Sequence, residues 1–210
     1  MKDLGIEIIV MRNNLRPLRL AGLAKGRIYN SFGSSLITSA HVLGKRLGVF
    51  YVPGAGAYRE LIPDGAHPLT DPLFSTETTR IIHDGAEATR AEKAIALAEW
   101  PETFDRLRVC FNRKWQNVDT AGAKVVNCCR CEKCLRTMIT LEICSALSRY
   151  STFPYPLERS RIRRSVLRTD MTCHFAEQNL RLARERGRGE IARDLRWSLA
   201  RNRLARLLRR

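Results

Sequence analysis

The stretch VNCCRCEKCLRTM, residues 126–138, places four cysteines within seven positions. Cysteines at this spacing bind a metal ion, form disulfides or fill a hydrophobic core. Disulfides suit the sequence least, because the seven cysteines of the chain form no even set and four of them are crowded together. A chain of 210 residues also buries a core without such cross-links. The cysteine usage therefore predicts a reducing, cytoplasmic compartment.

The cysteines Cys128, Cys131 and Cys134 have C-x2-C-x2-C spacing, which brings three thiolates within reach of one tetrahedral ion. A structural zinc site has four protein ligands, and the best candidate for the fourth is Cys110, at the end of a predicted strand. Cys129 is expected to point away from the other three. We therefore predict a closed, structural zinc site of four cysteines, which leaves no position open for catalysis. The alternative is a group of buried or redox-active cysteines.

The N-terminal sequence MKDLGIEIIVMRNN lacks the long apolar segment and the small-residue cleavage site of a signal peptide. No stretch approaches the ~20 apolar residues that a bilayer-spanning helix requires. We therefore expect a soluble protein without a membrane span.

The net charge of the chain is +16 and its isoelectric point is near 10.3. Fifteen arginines and five acidic residues lie within residues 161–210, so most of the positive charge is C-terminal. Such a segment predicts a nucleic acid or an anionic membrane surface as a partner. The alternative is compositional: arginines greatly outnumber lysines, as a GC-rich genome produces without selection for phosphate binding. The arginines would then be a solvated helix face.

Apolar runs and turn residues predict strands at 6–11, 49–53, 79–83 and 106–110, and helices at about 33–47 and 90–99. Alternating strands and helices predict an α/β fold with a parallel sheet. From about residue 133 the pattern becomes helical, and Ile191, Leu195 and Leu199 predict an amphipathic helix. We predict an α/β domain over residues 1–155, with the zinc site at 110–134, and an Arg-rich helical extension over 156–210.

The segment NCCRCEKCLRTM resembles the NCGxCEKCLRTM signature of an uncharacterised bacterial branch of the PP-loop (N-type) ATP pyrophosphatase superfamily. This branch is similar to 7-cyano-7-deazaguanine synthases, which have a four-cysteine zinc site. Further segments resemble the family in the expected order: GSSLITSAHVL (33–43), HPLTDPLFSTE (67–77), IIHDGAEATRAEKAIALA (81–98) and LRVC (107–110). The resemblance implies a Rossmann-like (adenine nucleotide alpha hydrolase-like) sheet. It also implies ATP and Mg²⁺ as cofactors, and an AMP-forming ligase or amidotransferase-like reaction on a small-molecule substrate that the sequence does not identify. Some relatives in this superfamily modify tRNA, so the resemblance also allows the alternative of a zinc-containing protein that binds tRNA through its Arg-rich C-terminal helix.

The sequence departs from the family pattern at the phosphate-binding loop. The family's SGGxDS loop is absent, since SFGSS at 31–35 lacks its second glycine and its aspartate. Residues 6–16 resemble a segment that lies downstream of this loop in the family. We therefore expect an N-terminally incomplete sheet that is inactive alone. Four explanations of the missing segment stay open: a truncated gene, a wrong start codon, a split protein completed by a partner chain that supplies the loop, and a degenerate paralogue. The expected partner is that second chain or, in a homodimer, another copy of this one. In a second departure, Cys129 occupies the family's glycine position, where a turn favours positive φ.

Several other residues are weaker candidates for nucleotide or substrate binding. His83 and Asp84 follow a predicted strand, where α/β proteins place ligand-binding loops, although a simple strand-ending turn has the same sequence. Ser75 and Thr76 are candidates for nucleotide contact or for helix capping. Arg90 and Lys93 lie one helical turn apart at the start of a predicted helix. They are expected either to contact a phosphate or to form part of a solvated helix face.

Overall fold

Two short runs of β-branched residues form the strands of a parallel sheet. In the computed structural model, which describes residues 5–15, 32–61, 65–110 and 126–208, β1 spans Val49–Pro53 and β2 spans Arg80–Asp84. Val49 pairs with Arg80 and Pro53 with Asp84. The predicted strands at 49–53 and 79–83 are therefore confirmed to within one residue. The chain divides into two compact units, residues 1–89 and 90–210, and each is described by itself.

In the first unit, α1 (Phe32–Val42) packs on the sheet, and its Ile37 forms a small core with Val52, Ala66 and Ile81. The prediction of a helix over 33–47 is wrong at its C-terminal end. The backbone turns at residues 43–46, where Gly44, a residue that is costly inside a helix, donates to the His41 carbonyl at 3.0 Å. Short 3-10 helices span Tyr58–Glu60 and Asp71–Phe74.

Two of the predicted strands, both in the described part of the chain, do not form there. Residues 6–11 form neither helix nor strand, because no neighbouring strand in the described part of the chain pairs with them. Residues 106–110 are also irregular, since a side chain takes the place of a neighbouring strand: Asn127 Oδ1 accepts from the backbone N–H groups of Val109 and Cys110. Apolar β-branched runs meet the sequence requirement for a strand but need a partner edge.

The second unit is helical, and the predicted helices at 90–99 and from about 133 are confirmed. Its helices are α2 (Arg90–Ala98), α3 (Glu132–Ile143), α4 (Arg159–Arg164), α5 (Asp170–Glu185) and α6 (Gly189–Leu207). Short 3-10 helices span Pro101–Thr103 and Leu147–Arg149. The helix α3 contributes to two buried clusters: Cys134, Met138 and Leu141 lie on the cysteine side, and Ile139 and Ile143 pack with the C-terminal helices.

The Arg-rich C-terminal segment is an integral part of this unit. Ile191, Leu195 and Leu199 of α6 are buried in the same cluster as Ile139, which confirms the predicted amphipathic helix. The carboxylate of Asp194, also buried, accepts from Arg159 Nε at 2.7 Å. The predicted domain boundary at 155/156 stays a prediction.

The described chain is thus a mixed structure of helices and a two-stranded parallel sheet. A Rossmann-like sheet stays a prediction. Across the ranges that the structure describes, every helix is too short or too polar to cross a bilayer.

Candidate metal centre

The helix α3 begins at the cysteine motif. Cys131 occupies its N-cap position, with an extended backbone conformation, and Cys134 lies in the first helical turn. The Cys131 N–H donates to the sulfur of Cys128 at 3.3 Å, which tightens the turn that precedes the helix. The start of the helix therefore fixes three of the four cysteines relative to one another.

The fourth cysteine is held by a buried amide. Asn127, which is 0% exposed, accepts from the Cys110 N–H at 3.1 Å and donates through Nδ2 to the carbonyls of Leu107 and Thr152. Its own backbone N–H donates to the same Thr152 carbonyl at 2.8 Å. Because Asn127 directly precedes Cys128, this network joins the segment that ends at Cys110 to the cysteine motif.

The four sulfur atoms of Cys110, Cys128, Cys131 and Cys134 all lie within 4.8 Å of one another. The Sγ atoms of Cys128 and Cys134 are 3.8 Å apart, and those of Cys131 and Cys134 are 3.4 Å apart. Zn–S bonds of about 2.3 Å in a regular tetrahedron place the sulfurs about 3.8 Å apart. The cluster therefore has the size and ligand number that one tetrahedral metal ion requires.

The remaining cysteine of the motif does not join the cluster. Cys129 has a positive φ of 54°, and its sulfur lies 3.5 Å from its acceptor, the Asn127 carbonyl. The prediction that it points away is confirmed, and so is the positive φ at the position where the resembling family has glycine. This conformation is costly for a residue with a Cβ atom.

Without a metal, burial favours the neutral thiols. The pKa of Cys134 is raised far above its ordinary value, first by its hydrogen bond with Cys131 and then by burial. Burial likewise raises the pKa of Cys128. The neighbouring cations Lys133 and Arg136 are not enough to lower the pKa of these two thiols below the ordinary value. Metal binding must therefore displace protons from the cluster, as it does in thiolate sites generally.

No protein-family model, curated protein or solved structure matches this chain. The family resemblance accordingly stays an expectation.

The weaker candidates in the first unit lie near the sheet, and most of them have structural partners. His83 Nδ1 lies 2.7 Å from Asp71 Oδ2, and both side chains are almost fully buried. Ser75 Oγ accepts from the Ile81 N–H at 3.0 Å, and Thr76 Oγ1 accepts from the Thr79 N–H at 3.1 Å. These two side chains thus hold the start of β2. Asp84 is exposed at the carboxyl end of the same strand.

The other two candidates lie in the second unit, on α2. Burial lowers the pKa of Arg90, whose guanidinium carbon is 5.4 Å from the ring centroid of Phe175, and its Nε has no hydrogen-bond partner among the described residues. Lys93 is half-buried on the same helix. Nucleotide or substrate binding by any of the six stays a prediction.

Sequence reasoning missed two residues that organise these sites. The sequence gives Asn127 no role beyond its place before Cys128, although its side chain joins the segment that ends at Cys110 to the cysteine motif. The buried partner of His83, Asp71, lies twelve positions away, and neither helix nor strand periodicity links the two. A polar side chain inside an otherwise apolar neighbourhood is the only sequence signal that Asn127 offered.

Proposed function

We propose that Cys110, Cys128, Cys131 and Cys134 bind one structural Zn²⁺ ion. The observation that carries the proposal is the approach of all four sulfurs to within 4.8 Å. An all-sulfur tetrahedral site suits zinc or iron among the common protein metals. Four cysteine ligands leave no coordination position for substrate, so the ion would stabilise the fold and take no part in catalysis.

The metal would hold the segment ending at Cys110 against the N-terminal turn of α3. Both parts belong to the second unit, whose residues there include the buried Tyr150 and Phe153. Elemental analysis of the purified protein is expected to find about one zinc per chain.

We further propose that this chain is the zinc-bearing C-terminal portion of an ATP-dependent, AMP-forming protein of the PP-loop type. Support comes from the ordered series of resembling segments and from the parallel pair of β1 and β2. His83 and Asp84 lie at the carboxyl end of β2, the end at which open α/β sheets bind ligands. The 210 residues have no SGGxDS loop, so the proposal requires a phosphate-binding loop that this sequence does not supply.

Purified protein with its zinc content determined is expected to form no AMP from ATP and Mg²⁺, with or without ammonia. The reason is that no loop in the sequence supplies the family's backbone amides for pyrophosphate. Chromatographic detection of AMP is the measurement, because nucleotide binding alone does not report adenylation. Production of AMP and pyrophosphate in equal amounts by this chain alone would show that no second chain is required.

A second candidate function is nucleic-acid binding through α6, in particular to tRNA. One observation favours it: Trp197 is 63% exposed on the same helix as the exposed Arg193 and Arg196. An aromatic ring beside guanidinium groups offers both base stacking and phosphate contact. Deleting the whole C-terminal segment is an unsuitable test, because Ile191 and Leu195 are part of the core.

Replacing Arg193 and Arg196 together by glutamine is expected to weaken tRNA binding and to reduce the slope of log K against log salt by about 2. Fluorescence anisotropy at several salt concentrations measures both quantities. The double variant Lys45→Gln/Arg46→Gln removes the same charge from exposed positions in the first unit and serves as the control. Equal losses in the two variants would contradict a specific role for α6.

A further inference from the structure

A cavity of about 660 Å³ lies in the second unit, between the start of α3 and the C-terminal helices. Its volume falls in the range of about 300–1,000 Å³ that is typical of small-molecule sites. It does not include the four cysteines, and none of the weaker candidate residues lines it. Neither the zinc proposal nor the adenylation proposal uses this space.

The rim of the cavity is strongly cationic. Five arginines and one glutamate from the cysteine motif, α3, α4 and the loop after α4 line it: Arg130, Glu132, Arg136, Arg161, Arg164 and Arg168. Like charges repel, so a convergence of guanidinium groups around one concave space is costly unless an anion occupies it.

The arginines differ in what already neutralises them. Arg136 pairs with Glu132 at 3.3 Å, and Arg161 pairs with Glu158 at 3.1 Å. Arg164 donates only to the neutral Ser160. Within the described ranges, Arg130 and Arg168 have no ion-pair partner. Together with Arg164, they are three of the five arginines without an acidic partner there.

Arg136 is the most enclosed of the five. Its guanidinium carbon lies 4.3 Å from the ring centroid of Phe175, and its side chain is 13% exposed. The ring and Glu132 together hold the guanidinium group in place.

The inner wall of the cavity is apolar. Leu135 and Ile139 of α3 line it together with Ala176 and Leu195, and all four are buried in the core of the unit. A cationic rim over an apolar wall suits a ligand that has an anionic group at one end and an apolar or planar body at the other.

We propose that this cavity binds a phosphomonoester with an apolar body, with Arg164 and Arg168 contacting the phosphate. A phosphate is favoured over a carboxylate because it carries a charge of about −1.5 to −2 and three acceptor oxygens, enough for several guanidinium groups. The phosphomonoester is either a free small molecule or the 5′-phosphorylated end of an RNA. The proposal rests on this cavity alone and is independent of the functions proposed above.

The test uses the full chain and phenyl phosphate as the probe, with inorganic phosphate for comparison, by isothermal titration. Phenyl phosphate is expected to bind more tightly than inorganic phosphate. The double variant Arg164→Gln/Arg168→Gln is expected to weaken its binding by at least about tenfold, because two charge-assisted hydrogen bonds are lost. Both side chains are exposed, so the melting temperature should be retained. If it falls, Arg168→Gln alone replaces the double variant.

The matched control is Arg193→Gln/Arg196→Gln, which removes the same charge from exposed positions outside the cavity. Its affinity for phenyl phosphate should equal that of the unaltered protein. An equal loss in the control, or no binding of phenyl phosphate and of phosphorylated RNA alike, would overturn the proposal. Equal affinity for phenyl phosphate and inorganic phosphate would overturn the role of the apolar wall.

Two 12-nucleotide RNAs, one with a 5′-phosphate and one with a 5′-hydroxyl, identify the source of the phosphate. A preference for the phosphorylated RNA that disappears in the Arg164→Gln/Arg168→Gln variant assigns the cavity to an RNA end. No such preference, with binding of phenyl phosphate retained, assigns it to a free small molecule. The α6 control separates this result from the tRNA proposal, because that variant should lower the affinity for both RNAs and keep any preference between them.

Discussion

Replacing Cys131 by serine is expected to release the zinc and to destabilise the second unit by roughly 4 kcal/mol or more. Cys131 is a proposed ligand, and its sulfur lies 3.4 Å from that of Cys134. A serine oxygen is a poor replacement for a thiolate in an all-sulfur site. Elemental analysis and urea denaturation of the same sample measure the two effects.

The matched control for this variant is Cys144→Ser. Cys144 is half-buried at the C-terminal end of the same helix and lies outside the four-cysteine cluster. It should retain about one zinc per chain and lose little stability. If Cys131→Ser keeps its metal and unfolds at the same urea concentration as the unaltered protein, the structural zinc site is wrong.

Replacing Asn127 by alanine is expected to destabilise the second unit by about 3 kcal/mol and to lower its metal affinity. The change removes hydrogen bonds to Val109, Cys110, Leu107 and Thr152 at a fully buried position, so backbone groups lose their partners. The segment that carries Cys110 would then lose its attachment to the motif. Denaturation and zinc competition with a chelator test the two effects separately.

The neighbouring Thr152 supplies the control. It is 0% exposed, and its Oγ1 atom has no hydrogen-bond partner in the described part of the chain. Thr152→Val keeps the shape of the side chain and removes only this unpaired hydroxyl, so stability should be unchanged or higher. An Asn127→Ala protein as stable as the Thr152→Val protein would contradict the role given to the amide network.

The elements that the sequence predicts well are those whose signal is local. The β-branched runs of β1 and β2 and the spacing of Ile191, Leu195 and Leu199 are readable because their periods match a strand or a helix. The run at 106–110 is also predicted as a strand but does not form one, because its backbone N–H groups donate to a side chain seventeen or more positions away. Local composition does not reveal which partner a backbone group finds.

In the candidate sites too, the sequence predicts the part whose signal is local and misses the part that depends on distant residues. The spacing of Cys128, Cys131 and Cys134 is local, and the structure brings these residues together with Cys110 as the sequence predicts. The cavity was not predicted, because its arginines come from the cysteine motif, α3, α4 and the following loop, and appear along the chain only as part of a general excess. Tertiary packing of α3 against the C-terminal helices creates that convergence.

The first turn of α3 belongs to two sites at once. Cys131 and Cys134 belong to the four-cysteine cluster, while Arg130, Glu132 and Arg136 line the cavity. A single turn that must be ordered for both sites couples them thermodynamically, and such coupling is reciprocal. If an anion in the cavity changes the affinity for the metal by some factor, the metal changes the affinity for the anion by the same factor. Under the two proposals, zinc binding that orders this turn would raise the affinity of the cavity for its anion, and removal of zinc would lower that affinity.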